Sequence, residues 1–239
     1  MKFTNLLIAA SAAVLLTTGA QAATYDAFTS FDGTQGAGGF FYGDLANELL
    51  PISLYAANTN CFIDGSTCLQ RSANHDVPGY TKSTSPSFQY GTVDVPTNEL
   101  LAHPANDSTL ATVLFLVSQP GTYTITARFE AVDRSPTGVD LFTVFASQGD
   151  LPSTITNVGS LPAASGSSFL FADKRTFAAG DVFGLAIGNG GFYGNDSTGV
   201  NFTLTSVPEP ATWSLMIVGF GAVGFAMRRR SATSTVTYA

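Results

Sequence analysis

Between Gly121 and Val132 the chain alternates with strict period two. Tyr123, Ile125, Ala127, Phe129 and Ala131 fall on one side; Thr122, Thr124, Thr126, Arg128 and Glu130 fall on the other. That period predicts a half-buried antiparallel strand, entered through the turn dipeptide Pro120-Gly121. Upstream, Leu110 to Ser118 is a continuous apolar run, as expected of a strand buried on both faces. A second such run spans Gly138 to Ser147, after a turn-rich stretch from Asp133. Further strands are predicted at Ser167 to Ala172, Asp181 to Gly188 and Val200 to Ser206. In the last, Val200, Phe202 and Leu204 alternate with Asn201, Thr203 and Thr205. Short strands divided by turns, with no helical periodicity, predict an all-β fold, a jelly-roll-like antiparallel β-sandwich. The 19 phenylalanines supply aromatic area to fill the space between two sheets.

The two ends follow other patterns. Met1-Lys2, an apolar stretch from Leu6 to Leu16 and the triplet Ala20-Gln21-Ala22 form a secretory signal, with cleavage predicted between Ala22 and Ala23. At the other end no charge occurs from Ala211 to Met227, and Arg228, Arg229 and Arg230 follow. A span of that length is at the short limit for a single transmembrane helix. The arginines keep its C-terminus cytoplasmic, and Trp213 suits the outer headgroup boundary. Gly219, Gly221 and Gly224 spell G-x-G-x-x-G, but no acidic residue follows Glu209 and no strand–helix–strand unit surrounds them. They read as glycines of an apolar helix that admits close helix approach.

Pro208-Glu209-Pro210, the short apolar helix and the arginine cluster together resemble the PEP-CTERM sorting signal of exported Gram-negative proteins. The same type of segment also carries the label ice-binding protein C-terminal domain, which describes a tail and implies no ice binding. The resemblance implies an exosortase that acts near the tripeptide, an inner-membrane stage, and delivery to the cell surface or an extracellular polysaccharide matrix. Proline fixes its own φ and disfavours helix in the preceding residue, so Val207 and Glu209 are pushed toward extended conformations that an enzyme can thread. The tail Ser231 to Ala239 departs from the family, whose members usually stop soon after the arginines. The expected organisation is a signal peptide at 1–22, a loop-rich N-terminal part of the sandwich at 23–106, and a sandwich core at 107–206. A sorting signal with membrane helix at 207–230 and a cytoplasmic tail at 231–239 complete it.

In the exported part, Ala23 to Asn106 is harder to read, and two or three short strands joined by long loops are expected there. Cys61 and Cys68 in "CFIDGSTC" predict a disulfide in an oxidising compartment. Asp64-Gly65 between them is a turn dipeptide. C-x6-C is no zinc spacing, and His75 is the nearest further ligand, so no metal site is predicted. From Ala23 to Ser206 six basic side chains face sixteen acidic ones, a net charge of −10 that repels phosphate backbones and excludes nucleic acid as a partner.

Stretches from His103 to Thr205, among them "PGTYT", "AGDVFGLAIG" and "DSTGV", resemble the jelly-roll region of many PEP-CTERM proteins, which is similar to carbohydrate-binding modules. The resemblance implies fold and glycan binding, and no catalytic residue. Residue by residue the chemistry is sparse. His75 and His103 are flanked by turn residues, and neither G-x-S-x-G nor H-E-x-x-H occurs. Glu130, Asp133, Asp140 and Asp181 lie on or beside strands, with Glu130 and Arg128 expected to pair toward solvent. The loop "GNGGFYGNDSTG", Gly188 to Gly199, offers more. Phe192 and Tyr193 stand among glycines, with Asn189, Asn195 and Asp196 beside them, a mixture suited to sugar rings and hydroxyls. Two other readings stand beside it: a Ca²⁺ site built on Asp196 and loop carbonyls, and a plain hairpin whose aromatics fold back on the sandwich. The function expected is that of an exported, non-catalytic envelope or matrix module that binds polysaccharide. The alternatives are a small secreted glycan hydrolase using two of the carboxylates and a purely structural surface protein.

Overall fold

The computed structural model describes residues 22–46, 49–58, 61, 63–72, 77–83, 89–148, 154–208 and 211–231. The signal segment up to Gln21, His75, Glu209, Pro210 and the tail from 232 lie outside the described residues. The N-terminal half contributes β1 (Thr24–Asp26), β2 (Phe40–Ala46), β3 (Leu49–Leu54), β4 (Ala56–Asn58), β5 (Thr67–Gln70), β6 (Gly79–Lys82), β7 (Gln89–Tyr90), β8 (Val93–Asp94) and β9 (Leu100–His103). The rest adds β10 (Leu110–Leu116), β11 (Gly121–Ala131), β12 (Val139–Ala146), β13 (Thr154–Leu161), β14 (Ser168–Phe177), β15 (Val182–Gly188) and β16 (Thr198–Ser206). Two α-helices are described, the single-turn α1 (Ala27–Ser30) and α2 (Ala211–Ser231), besides a 3₁₀ turn at Ala37–Gly39.

The strands form two antiparallel sheets. The larger runs β14-β11-β16-β9-β6-β5-β4, with β1 also on β16; the smaller runs β13-β12-β15-β10-β2-β3. Strands β7 and β8 make a separate hairpin. The period-two strand β11 lies between β14 and β16, and its apolar row Tyr123, Ile125, Ala127, Phe129 and Ala131 is buried. From the facing sheet come Phe40 and Tyr42 of β2, Val113 and Phe115 of β10, and Phe183, Leu185 and Ile187 of β15. Phe40 meets Phe115 and Phe202 at ring-centroid distances of 5.1 and 5.7 Å, and Phe202 meets Phe183 at 6.3 Å. Tilted ring pairs at such spacings add to the area they bury. This is an all-β antiparallel sandwich.

The N-terminal part departs from its expectation. Two or three short strands were expected from Ala23 to Asn106; the described residues there form nine, and β2 pairs with β10 along six residues. Residues 22–207 form one compact unit. Its ends are tied together. β1 pairs with β16 beside β9, Ser206 N donates to Ala23 O at 2.8 Å, and Ala23 N donates to Ser206 Oγ at 2.8 Å.

The strand expected at Ser167 to Ala172 continues to Phe177. It is the edge of the large sheet, and its inward row holds Asp173 and Arg175 between Phe171 and Phe177. The Arg175 guanidinium lies over the rings of Phe145 and Phe183 at 5.1 and 5.3 Å. Inward-pointing charge on an edge strand discourages pairing with another chain.

Cys61 and Cys68 form the disulfide, with Cα atoms 5.7 Å apart. By loop entropy, closing so short a loop contributes about 2.5 kcal/mol. The double variant C61S/C68S is therefore expected to melt roughly 5–10 °C lower in calorimetry. An unchanged Tm would show that the bridge is not a stabiliser.

The segment of the predicted membrane crossing, Ala211 to Met227, is helical as part of α2. Gly219, Gly221 and Gly224 lie inside that helix, without the strand-to-helix turn a nucleotide fingerprint needs. Among the described residues no helix is long and apolar enough to cross a membrane.

Candidate functional site

The loop between β15 and β16 is built by its own polar side chains. Asn189 Nδ2 donates to Ala105 O and Asp107 O, both at 3.1 Å, and Gly191 N donates to Asn189 Oδ1 at 3.0 Å. Asp196, only 1% exposed, accepts Thr137 N and Gly138 N on Oδ1, both at 2.9 Å. Its Oδ2 lies 2.8 Å from Thr137 Oγ1. Burial raises the Asp196 carboxyl above its ordinary range, and the bonds from Thr137 and Gly138 oppose that shift. Asn195 adopts the left-handed conformation at φ 62°, which asparagine tolerates better than most residues. Phe192 O and Gly194 O approach the same Thr137 hydroxyl at 3.0 and 2.9 Å.

This arrangement changes the reading of two residues. Asn189 and Asp196 tie the loop to neighbouring segments, so their polar atoms are already engaged. Asp196 Oδ2 and the carbonyls of Phe192 and Gly194 converge on the Thr137 hydroxyl. What the loop presents outward is Phe192, 60% exposed, and Tyr193, 40% exposed. Their ring centroids are 6.0 Å apart, with the planes inclined by 37°. A Cβ on Gly194 would stand 2.6 Å from the Phe192 ring, so glycine there sets where that ring rests. Tyr193 meets His103 edge-on at 6.5 Å. His103 Nδ1 lies 3.0 Å from Pro104 O, and burial holds its imidazole below the usual range. His103 thus braces an aromatic rather than serving as an exposed base.

A second network supports the loop from below. Arg71 Nε lies 2.5 Å from Asp44 Oδ2, and Arg71 Nη1 lies 3.0 Å from Asp107 Oδ2. Tyr55 donates to Asp44 Oδ1 at 2.7 Å. Bonds from Thr109, together with Arg71, hold the Asp107 carboxyl at about 2, below its ordinary 3.8. A carboxyl lowered in the folded state contributes its stability above the unfolded value and loses it as pH falls through the folded one. Asp107→Asn is therefore expected to be less stable than the wild type at pH 5, with the gap closing between about pH 4 and 2. Urea unfolding at several pH values measures this; a gap independent of pH would contradict it.

The four carboxylates singled out in the sequence are not brought together. Asp133 accepts Thr92 Oγ1 and Ser135 N, both at 2.9 Å. Asp181 accepts Gln148 N at 3.1 Å and Ala178 N at 2.8 Å. Asp140 lies on β12 of the small sheet, and Glu130 lies on β11 of the large one. Glu130 does pair with Arg128, and that pair has a third member that sequence reasoning missed. Glu99, almost fully buried, places Oε1 2.5 Å from Arg128 Nη1. Nothing in "TNELLAH" marks it out beyond an acid beside an apolar pair. Burial raises the Glu99 carboxyl, partly opposed by Arg128. The three charges line a cleft of about 330 Å³ with Asn98 and Ser165.

At the C-terminal end of the sandwich, Val207 N donates to Thr122 O at 2.7 Å. Sheet hydrogen bonding thus runs up to Val207, directly before exposed Pro208. Residues 206–230 match the PEP-CTERM protein-sorting motif. Among curated proteins, no sequence matches this chain. Among solved structures, the chain is similar to a family 16 carbohydrate binding module, at 12% identity over 58% of this chain and 84% of that one, TM-score 0.30. It is similar to a family 29 carbohydrate binding module from Piromyces equi, at 16% identity over 48% and 74%, TM-score 0.30. It is likewise similar to PRD1 vertex protein P5, at 10% identity over 78% and 96%, TM-score 0.29. At these values the similarities do not extend to function. The chain carries a PEP-CTERM sorting motif at the end of an antiparallel β-sandwich.

Proposed function

We propose that this is an exported, exosortase-sorted protein of the envelope or extracellular matrix, whose sandwich binds polysaccharide through Phe192 and Tyr193 without reacting with it. The sorting motif supports the route: export after cleavage at Ala22, a membrane stage on the apolar helix, and processing near Pro208-Glu209-Pro210. The observation that carries the binding reading is an exposed aromatic pair on a loop tied down at Asn189, Thr137 and Asp196. Sugar rings present apolar C–H faces that lie against aromatic rings, and a loop already ordered loses little entropy on binding. Electrophoresis of Ala23–Val207 through gels containing polysaccharides tests it. Retardation by at least one polymer is expected; no retardation by any leaves a structural coat role.

A further inference from the structure

The outer face of the large sheet carries a second concave surface, built by other residues than the loop. β14, β11 and β16 lie side by side there, and their registers set which side chains stand abreast. Leu170, Arg128 and Asn201 form one row, and Ala172, Thr126 and Thr203 form the next. Thr126 Oγ1 and Thr203 Oγ1 are 2.8 Å apart. These two rows line a groove of about 390 Å³, with Leu170, 74% exposed, as its apolar wall. Arg128 lines both this groove and the cleft that holds Glu99 and Glu130, so the two are contiguous.

Arg128 is the hub of that surface. Glu99 and Glu130 hold its guanidinium from two sides, which fixes a group that would otherwise sample many rotamers. The two contacts engage Nη1 and Nη2, a part of the five N–H donors an arginine carries. Room for Glu99 is made by Gly199, where a Cβ would stand 2.3 Å from Glu99 Oε2. The cleft therefore offers fixed donors and fixed acceptors at one place, with hydroxyls and an amide along the adjoining groove.

We infer that this groove and cleft form a second polysaccharide subsite, which takes an extended segment of an uncharged glycan. A sugar diol both donates and accepts, so it can satisfy carboxylate and guanidinium together. Leu170 offers an apolar surface to the C–H face of a ring. An acidic glycan would instead face Asp94, Glu99 and Glu130 in a domain of net charge −10. The inference rests on the polysaccharide reading above, and names the substrate class that reading left open.

Thr126→Arg and Asn201→Arg test it, since both side chains lie on the outer face of the sheet, where a bulky group fills the groove without entering the core. The assay is gel electrophoresis of Ala23–Val207 in a neutral polysaccharide that retards the wild type, with a polyuronate in parallel. Circular dichroism and Tm serve to show that each variant is folded. Each arginine variant is expected to bind the neutral polymer about tenfold more weakly, and the wild type is expected to bind the polyuronate less than the neutral polymer. Neutral binding that is lost in F192A/Y193A but kept in both arginine variants would overturn the groove alone. Preference of the wild type for the polyuronate would overturn its assignment to uncharged glycan. A wild type that binds no polysaccharide would overturn both readings.

Discussion

Asp196→Ala is expected to destabilise the sandwich by about 3–5 kcal/mol, because it removes a buried carboxylate together with its charge-assisted hydrogen bonds to Thr137 and Gly138. For a domain of this size that corresponds to roughly 10–15 °C in Tm. The effect is local in origin. Asp196 links the β15–β16 loop to the turn before β12, so its removal is expected to expose that loop to limited proteolysis before the rest of the domain opens. Asp196→Asn keeps an oxygen for the two N–H groups and is expected to lose only about 1–2 kcal/mol. Equal Tm for wild type and alanine variant would mean that the loop is held by something other than this carboxylate.

Replacing Phe192 and Tyr193 together with alanine is expected to have the opposite profile. Phe192 is largely exposed and Tyr193 partly so, and neither belongs to the core, so Tm should change by no more than about 2 °C. Affinity for the bound polysaccharide should fall about 10–100-fold, the range for losing two aromatic anchors at a binding surface. Isothermal titration of both proteins with one soluble polymer separates the two effects. Unchanged affinity would remove the aromatic pair from the site.

The strands legible in the sequence are those that obey one simple rule. β11 alternates strictly because one face meets the core and the other meets water, and β10 is continuously apolar because its outward residues Leu110 and Leu114 also join an apolar cluster. β13 was not predicted: as an edge strand with a register shift opposite Leu141 and Phe142, it buries too little for "TITNVGSL" to alternate. The second half of β14 was missed because Asp173 and Arg175 sit on its inward row, where the pattern rule expects apolar residues. The many strands before Asn106 escaped because most are short, and pairing between distant segments stabilises them more than local pattern does.

The site was legible to a smaller extent. Glycine and aromatic composition pointed to Phe192 and Tyr193. The roles of Asn189 and Asp196 depend on partners far along the chain, Ala105, Asp107, Thr137 and Gly138, which no local spacing announces. Glu99 was invisible for the same reason, since Arg128 is 29 residues away in sequence.

The polysaccharide reading depends on a preformed loop that presents Phe192 and Tyr193. Its most direct test is an NMR titration of Ala23–Val207 with an oligosaccharide cut from the polymer it binds. The resonances of the Phe192 and Tyr193 rings should shift in proportion to occupancy, while the Thr137 and Gly138 amides, already bonded to Asp196, stay in place. An absence of shifts in both rings, or large movements of those two amides, would contradict it.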